Sequence, residues 1–197
     1  MTIIWRSSLF LLAALALAAC SPEGPKFHST DITGAELGRE LALTGHDGKP
    51  RTLADFRGKA VLVFFGYTFC PDVCPTTLAD AAQALKALGK DADRVQVLFV
   101  TVDPERDTPQ VLSKYVPAFD ARFLGLHGDA AAIRKATKDF KIFYEKRAGK
   151  TPGEYTVDHS GQTYLFDAQG RIRLLLRHDR IAQDLVKDLR TLLAQKN

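Results

Sequence analysis

The stretch VLVFFGYTFCPDVCPTTLAD, from Val61 to Asp80, runs an apolar segment into two cysteines, each followed at once by a proline. The apolar part, Ala60–Gly66, is rich in β-branched and aromatic residues and does not alternate. It reads as a central strand buried on both faces. Pro75 lacks an N–H, which a helix does not need in its first turn, so a helix is expected from about Pro75 to Leu88 with Cys74 as its cap. Cys70 to Cys74 is then an irregular turn between strand and helix. Both sulfurs lie near the positive end of the helix dipole, which favours thiolate, the form that attacks disulfides and binds metals.

Outward from this unit, strands alternate with helices. ELALTGHDGKPRTL reads as a hairpin turning at Asp47-Gly48. Val95–Val102 is a second buried strand, and helices are expected at about Thr108–Tyr115 and Asp129–Phe140. Gln162–Phe166 and Ile172–Leu176 form another hairpin, turning at DAQG. A last helix, about Arg180–Ala194, places Ile181, Leu185, Leu189 and Leu192 on one face. A strand–helix–strand core closed by a hairpin and a terminal helix is a thioredoxin-like layout. The expected fold class is α/β, a single such domain with a central mixed sheet flanked by helices. With 197 residues, 46% of them hydrophobic, the chain suffices for one well-buried core.

The first residues belong to a different class. Arg6 supplies a positive charge before the apolar run Ser7–Ala19, which is too short for a membrane span. The run ends in Leu17-Ala18-Ala19-Cys20, similar to a bacterial lipobox, in which the cysteine is acylated and the preceding peptide removed. Residues 1–19 are thus expected to be a lipoprotein signal peptide. Residues 20–34, rich in Pro, Gly and polar side chains, are expected to be the lipidated Cys20 and a flexible tether. Residues 35–197 form the domain. This places the domain in the bacterial cell envelope, lipid-anchored and facing the periplasm or exterior. A formal net charge of +4 with no basic run is too mild to argue for a nucleic-acid partner, and none is expected.

With Cys20 carrying lipid, the remaining cysteines are the neighbours Cys70 and Cys74. In an oxidising compartment such a pair is either a disulfide or a metal site, and a turn brings the two close enough for both. Two soft thiolates suit Cu(I) or Zn(II), and a structural zinc site usually takes four protein ligands. The only Met is Met1 and the only Trp is Trp5. The processed domain therefore cannot supply a methionine axial ligand to a blue-copper site. Any third ligand comes from His, Asp or Glu. Of His28, His46, His127, His159 and His178, His159 stands out. It sits in VDHSGQTYLFD, at the entry to a hairpin that faces the start of the first helix in a thioredoxin-like layout.

Three blocks, GYTFCPDVCPTTL (66–78), VTVDPERDTPQVLSKY (100–115) and DHSGQTYLFDAQG (158–170), resemble the Sco/SenC family of membrane-anchored copper-binding proteins. They stand in the family's order and approximate spacing, and the resemblance runs from about Leu37 to the C-terminus. It implies copper, as Cu(I), Cu(II) or both, bound by Cys70, Cys74 and His159, with Asp103 and Asp158 close to the site. It also implies work on the dinuclear copper centre of cytochrome c oxidase, as copper donor, as thiol reductant of the receiving cysteines, or both. The partner would be the oxidase's copper-receiving subunit or another copper chaperone. The leading expectation is therefore a metallochaperone rather than an enzyme. The alternative is a thiol–disulfide oxidoreductase using a redox Cys70–Cys74 disulfide. A peroxidase of the peroxiredoxin type is disfavoured, because Thr68 stands two rather than three residues before Cys70.

Overall fold

In the computed structural model, which describes residues 24–195, every residue of Ala60–Gly66 is buried, as the unbroken apolar run demands. This strand is the fourth of ten: β1 (Thr30–Asp31), β2 (Ala42–Gly45), β3 (Pro50–Thr52), β4 (Ala60–Gly66), β5 (Val95–Thr101), β6 (Leu124–His127), β7 (Tyr144–Ala148), β8 (Tyr155–His159), β9 (Gln162–Phe166) and β10 (Ile172–Arg177). Eight form one mixed sheet in the order β1-β10-β9-β4-β5-β6-β2-β3, and β7 and β8 form a separate hairpin. β4, β5 and β6 are parallel, and the other pairings in the sheet are antiparallel. Parallel neighbours need crossovers: α1 (Val73–Leu88) joins β4 to β5 and α2 (Pro109–Tyr115) lies between β5 and β6, while α3 (Ala130–Asp139) leads from β6 to the β7–β8 hairpin and α4 (Ile181–Ala194) closes the chain.

The helices α1 and α4 pack together, α2 lies against β6, and α3 lies against β2. Phe64, Phe65, Phe99, Phe140 and Phe166 fill the interior between sheet and helices. The expected hairpins at Asp47-Gly48 and at residues 167–170 are both present. Thr108 and Asp129 cap α2 and α3 through their side chains, which accept from the backbone N–H three residues on.

Two expectations need correction. Helix α1 starts earlier than Pro75: Asp72 is its cap, and Cys74 is its second residue. None of a helix's first four N–H groups has an intrahelical partner, so proline fits the third position as well as the first. The tether is also shorter than residues 20–34. The buried Asp188 carboxylate of α4 accepts the backbone N–H groups of His28 (2.7 Å) and Ser29 (3.0 Å). Thr30–Asp31 then pairs with β10 as an edge strand, and the Ile32 N–H donates to the Arg173 carbonyl at 2.8 Å. On the segment's own side these bonds use backbone groups alone, so its polar composition did not announce them. Residues 1–19 and Cys20 lie outside the described residues. Among the described residues no helix is long and apolar enough to cross a membrane.

Candidate metal centre

The turn after β4 is built to close tolerances. A Cβ on Gly66 would stand 2.7 Å from Cys74 Sγ and 3.0 Å from the Phe99 ring, so only glycine lets α1 approach the strand here. The next residues are pinned by a carboxylate. Asp107 accepts from the Thr68 N–H (3.1 Å), from Thr68 Oγ1 (2.6 Å) and from Thr101 Oγ1 (2.6 Å). Asp107 is buried, and burial pushes its carboxyl above the ordinary range. The Cys70 N–H donates to the Tyr67 carbonyl at 3.2 Å, completing the turn.

His159 arrives from the other side, as the last residue of β8. The edges of two aromatic contacts hold its ring, Tyr67 at 5.8 Å and 87° and Phe64 at 6.2 Å and 65°. Nδ1 lies 3.1 Å from the Ser160 carbonyl oxygen, which only accepts. A proton on Nδ1 therefore serves that contact and leaves the Nε2 lone pair facing Cys74 Sγ, 3.4 Å away.

Cys70, Cys74 and His159 thus come together, with their ligand atoms all within 4.8 Å of one another. Both cysteines are free thiols; Cys74 is buried and Cys70 half-buried. A hydrogen bond between them moves the two in opposite directions. Cys70 is held far below the ordinary thiol value, chiefly by the bond from Cys74. Cys74 is pushed far up by the same bond and by burial. The site at rest is therefore one thiolate, one thiol and one imidazole, with a single proton standing where a cation would draw the sulfurs together. The donor set fits a soft ion such as Cu(I), and it lacks the fourth protein ligand typical of structural zinc.

The site opens into a cavity of about 340 Å³ lined by Cys70, Val73, Val157, Asp158, His159, Gly161 and His178. Asp158 is exposed on β8 and pairs with Arg147 at 3.0 Å. Asp103 is buried and accepts from Arg106 and from the Tyr155 hydroxyl (2.8 Å), not from the cysteines or His159. Its link to the site runs through Arg106, whose guanidinium stacks 3.6 Å from the Tyr155 ring centre, 4.8 Å from Phe69 and 5.6 Å from Tyr67. Asp107, Tyr67 and Arg106 were not singled out in the sequence, although all three lie inside or beside the quoted blocks. The remaining histidines stand elsewhere or outside the ligand group. His46 Nδ1 accepts from the Gly125 N–H at 3.0 Å, and His127 ends β6.

The chain is similar to characterised proteins over nearly all the described residues. A SCO1/SenC family profile matches residues 29–194. The mouse "Protein SCO2 homolog, mitochondrial" is 37% identical over 153 residues, 77% of this chain, which spans 60% of that relative's length. The solved structure of Bradyrhizobium japonicum ScoI with copper bound is 41% identical, covers 79% of this chain and 99% of its own, and superposes with a TM-score of 0.72. Apo Sco1 from Thermus thermophilus gives 42% identity, 87% and 99% coverage and a TM-score of 0.76. From the profile match and the convergence of its two cysteines with one histidine, this chain belongs to the SCO1/SenC family.

Proposed function

We propose that this protein carries copper on Cys70, Cys74 and His159 and serves assembly of the copper centre of cytochrome c oxidase. The observation that carries the reading is the convergence of two sulfurs and one imidazole, with Cys70 and His159 lining an open cavity and Cys74 buried behind them. Family membership and the copper-bound relative support it. Copper is cargo here, so the site must both hold and release it. The buried Cys74 and the aromatic-braced His159 form the fixed part. Cys70, half-buried at the mouth, is the ligand an acceptor reaches first and displaces first. Loading removes the proton shared by the sulfurs, and unloading returns one.

The test is copper bound per chain, measured on the full-length protein in detergent. About one ion per chain is expected, and almost none for the Cys70→Ser/Cys74→Ser variant. His159→Ala should weaken Cu(II) far more than Cu(I), because Cu(I) tolerates two sulfurs and Cu(II) prefers nitrogen and more ligands. A double serine variant that binds copper as tightly as the wild type would refute the assignment.

A second reading rests on the ionised, accessible Cys70: the pair reduces the acceptor's disulfide and ends as a Cys70–Cys74 disulfide. Copper-free protein that reduces a disulfide substrate stoichiometrically, and equally well as His159→Ala, supports this reading over delivery.

We further propose that Cys20 is acylated after removal of residues 1–19, which anchors the protein in a bacterial envelope membrane with its domain outside the cytoplasm. Two or three acyl chains, at about 0.8 kcal/mol per buried CH₂, hold it firmly. Metabolic labelling with a fatty-acid probe should mark the wild type and not Cys20→Ser; label on the variant counts against the anchor.

A further inference from the structure

The cavity above the cysteines contains one imidazole that neither the resemblance nor the ligand group accounts for. His178 follows β10 and opens the short turn leading into α4. It is exposed, and its ring rests against Gly161, two residues beyond His159: a Cβ at Gly161 would come within 3.1 Å of His178 Cδ2. Glycine at 161 therefore lets this imidazole lie down on the loop that carries His159. His178 lines the same 340 Å³ cavity as Cys70 and His159, while Cys74 does not line it. It also lies outside the group whose ligand atoms approach within 4.8 Å. The donors are thus graded by depth: His178 at the rim, Cys70 and His159 within, Cys74 at the buried end.

We infer that His178 is a transit ligand for copper, binding the ion on its way to and from Cys70, Cys74 and His159. The inference rests on the copper-carrying role proposed above. A three-coordinate ion exchanges ligands by adding one before losing another, and the rim imidazole provides that extra donor on the protein's side. On entry, a copper–nitrogen bond to His178 forms as the carrier's ligand leaves. A bond to the Cys70 thiolate follows, the Cys74 proton passes to water as the second sulfur binds, and the copper–His178 bond breaks as His159 takes its place. Release runs the same steps backwards. No electron moves. Imidazole is a good ligand for both copper states and a weaker one than thiolate for Cu(I), which suits a brief stop.

The experiment uses the full chain in detergent, with Cu(I) presented as its bathocuproine disulfonate complex and uptake followed by stopped flow. His178→Ala should slow uptake and release together by about tenfold or more, because a tethered donor acts at millimolar effective concentration or above. The equilibrium affinity and the melting temperature should stay at the wild-type values. Free imidazole at about 10 mM should restore the rate in the variant and leave the wild type unchanged. Unaltered rates in His178→Ala overturn the inference. So does a parallel loss of affinity, which would make His178 a resident ligand, or a lowered melting temperature without imidazole rescue, which would make it structural. A wild type that takes up no copper fails the copper-carrying reading itself, and is recognised as such before the variant is compared.

Discussion

At Cys70 and Cys74, one hydrogen bond sets two opposite proton affinities, and position decides which sulfur gains. Cys74 lies under the sheet end, where an ion would lose its water, so it keeps the proton. Cys70 at the mouth takes the charge. The consequence is selective reactivity. Since Cys70 sits below the ordinary thiol value, it stays ionised as pH falls from about 8 to about 6, and its alkylation rate should be flat there. A thiol with pKa near 8.5 would lose about tenfold per pH unit over the same span. Mass spectrometry after brief iodoacetamide treatment of the reduced, metal-free protein should find the label on Cys70 and not Cys74. A steep pH dependence, or equal labelling, would show that the proton is not held as described. Asp107 acts at this scale too: held by Thr101, it accepts two bonds from Thr68 and so fixes the turn that leads to Cys70.

The elements differ in how openly the sequence states them, and burial is the reason. Strand β4 is buried at every residue, so its pattern is unbroken, and the prolines after each cysteine mark the helix start to within two residues. The pairing of the two cysteines and the candidacy of His159 were readable from that frame. The hairpin of β7 and β8, which carries His159 to the site, was not. Apart from Val157 its residues are exposed or half-exposed, so no alternation imposes itself, and its register is set by backbone bonds. Strand β6 is four residues long and equally silent. The brace formed by Asp103, Arg106 and Tyr155 joins residues some fifty positions apart, which spacing cannot reveal. A sharper test of the β4–α1 junction is Gly66→Ala. Its Cβ would press on Cys74 Sγ and on two phenylalanine rings. Overpacking of this kind costs about 1–3 kcal/mol. Lower stability in chemical denaturation, together with weakened copper binding, is the expected result; wild-type values for both would mean that the junction is looser than its contacts imply.

Across the whole molecule, the N-terminal segment, whose composition suggested a flexible tether, is fastened from His28 onward to the last helix and the edge of the sheet. Asp188→Ala would strand two backbone N–H groups and remove their charged acceptor, a loss of about 1–3 kcal/mol. Amide exchange should accelerate at residues 28–32 while copper per chain stays the same; unchanged exchange would mean that β1 holds without the carboxylate. The fastening also alters how the protein searches. From Cys20, the expected tether of residues 20–34 would have let the domain range to about 50 Å. With Cys20 anchored as proposed, His28 clasped and Phe27 under the Arg173 guanidinium, residues 27–34 are withdrawn from that reach, which falls to about half. Halving a leash shrinks the hemisphere it sweeps about eightfold, and raises by the same factor the frequency with which its load meets an acceptor fixed beside the anchor.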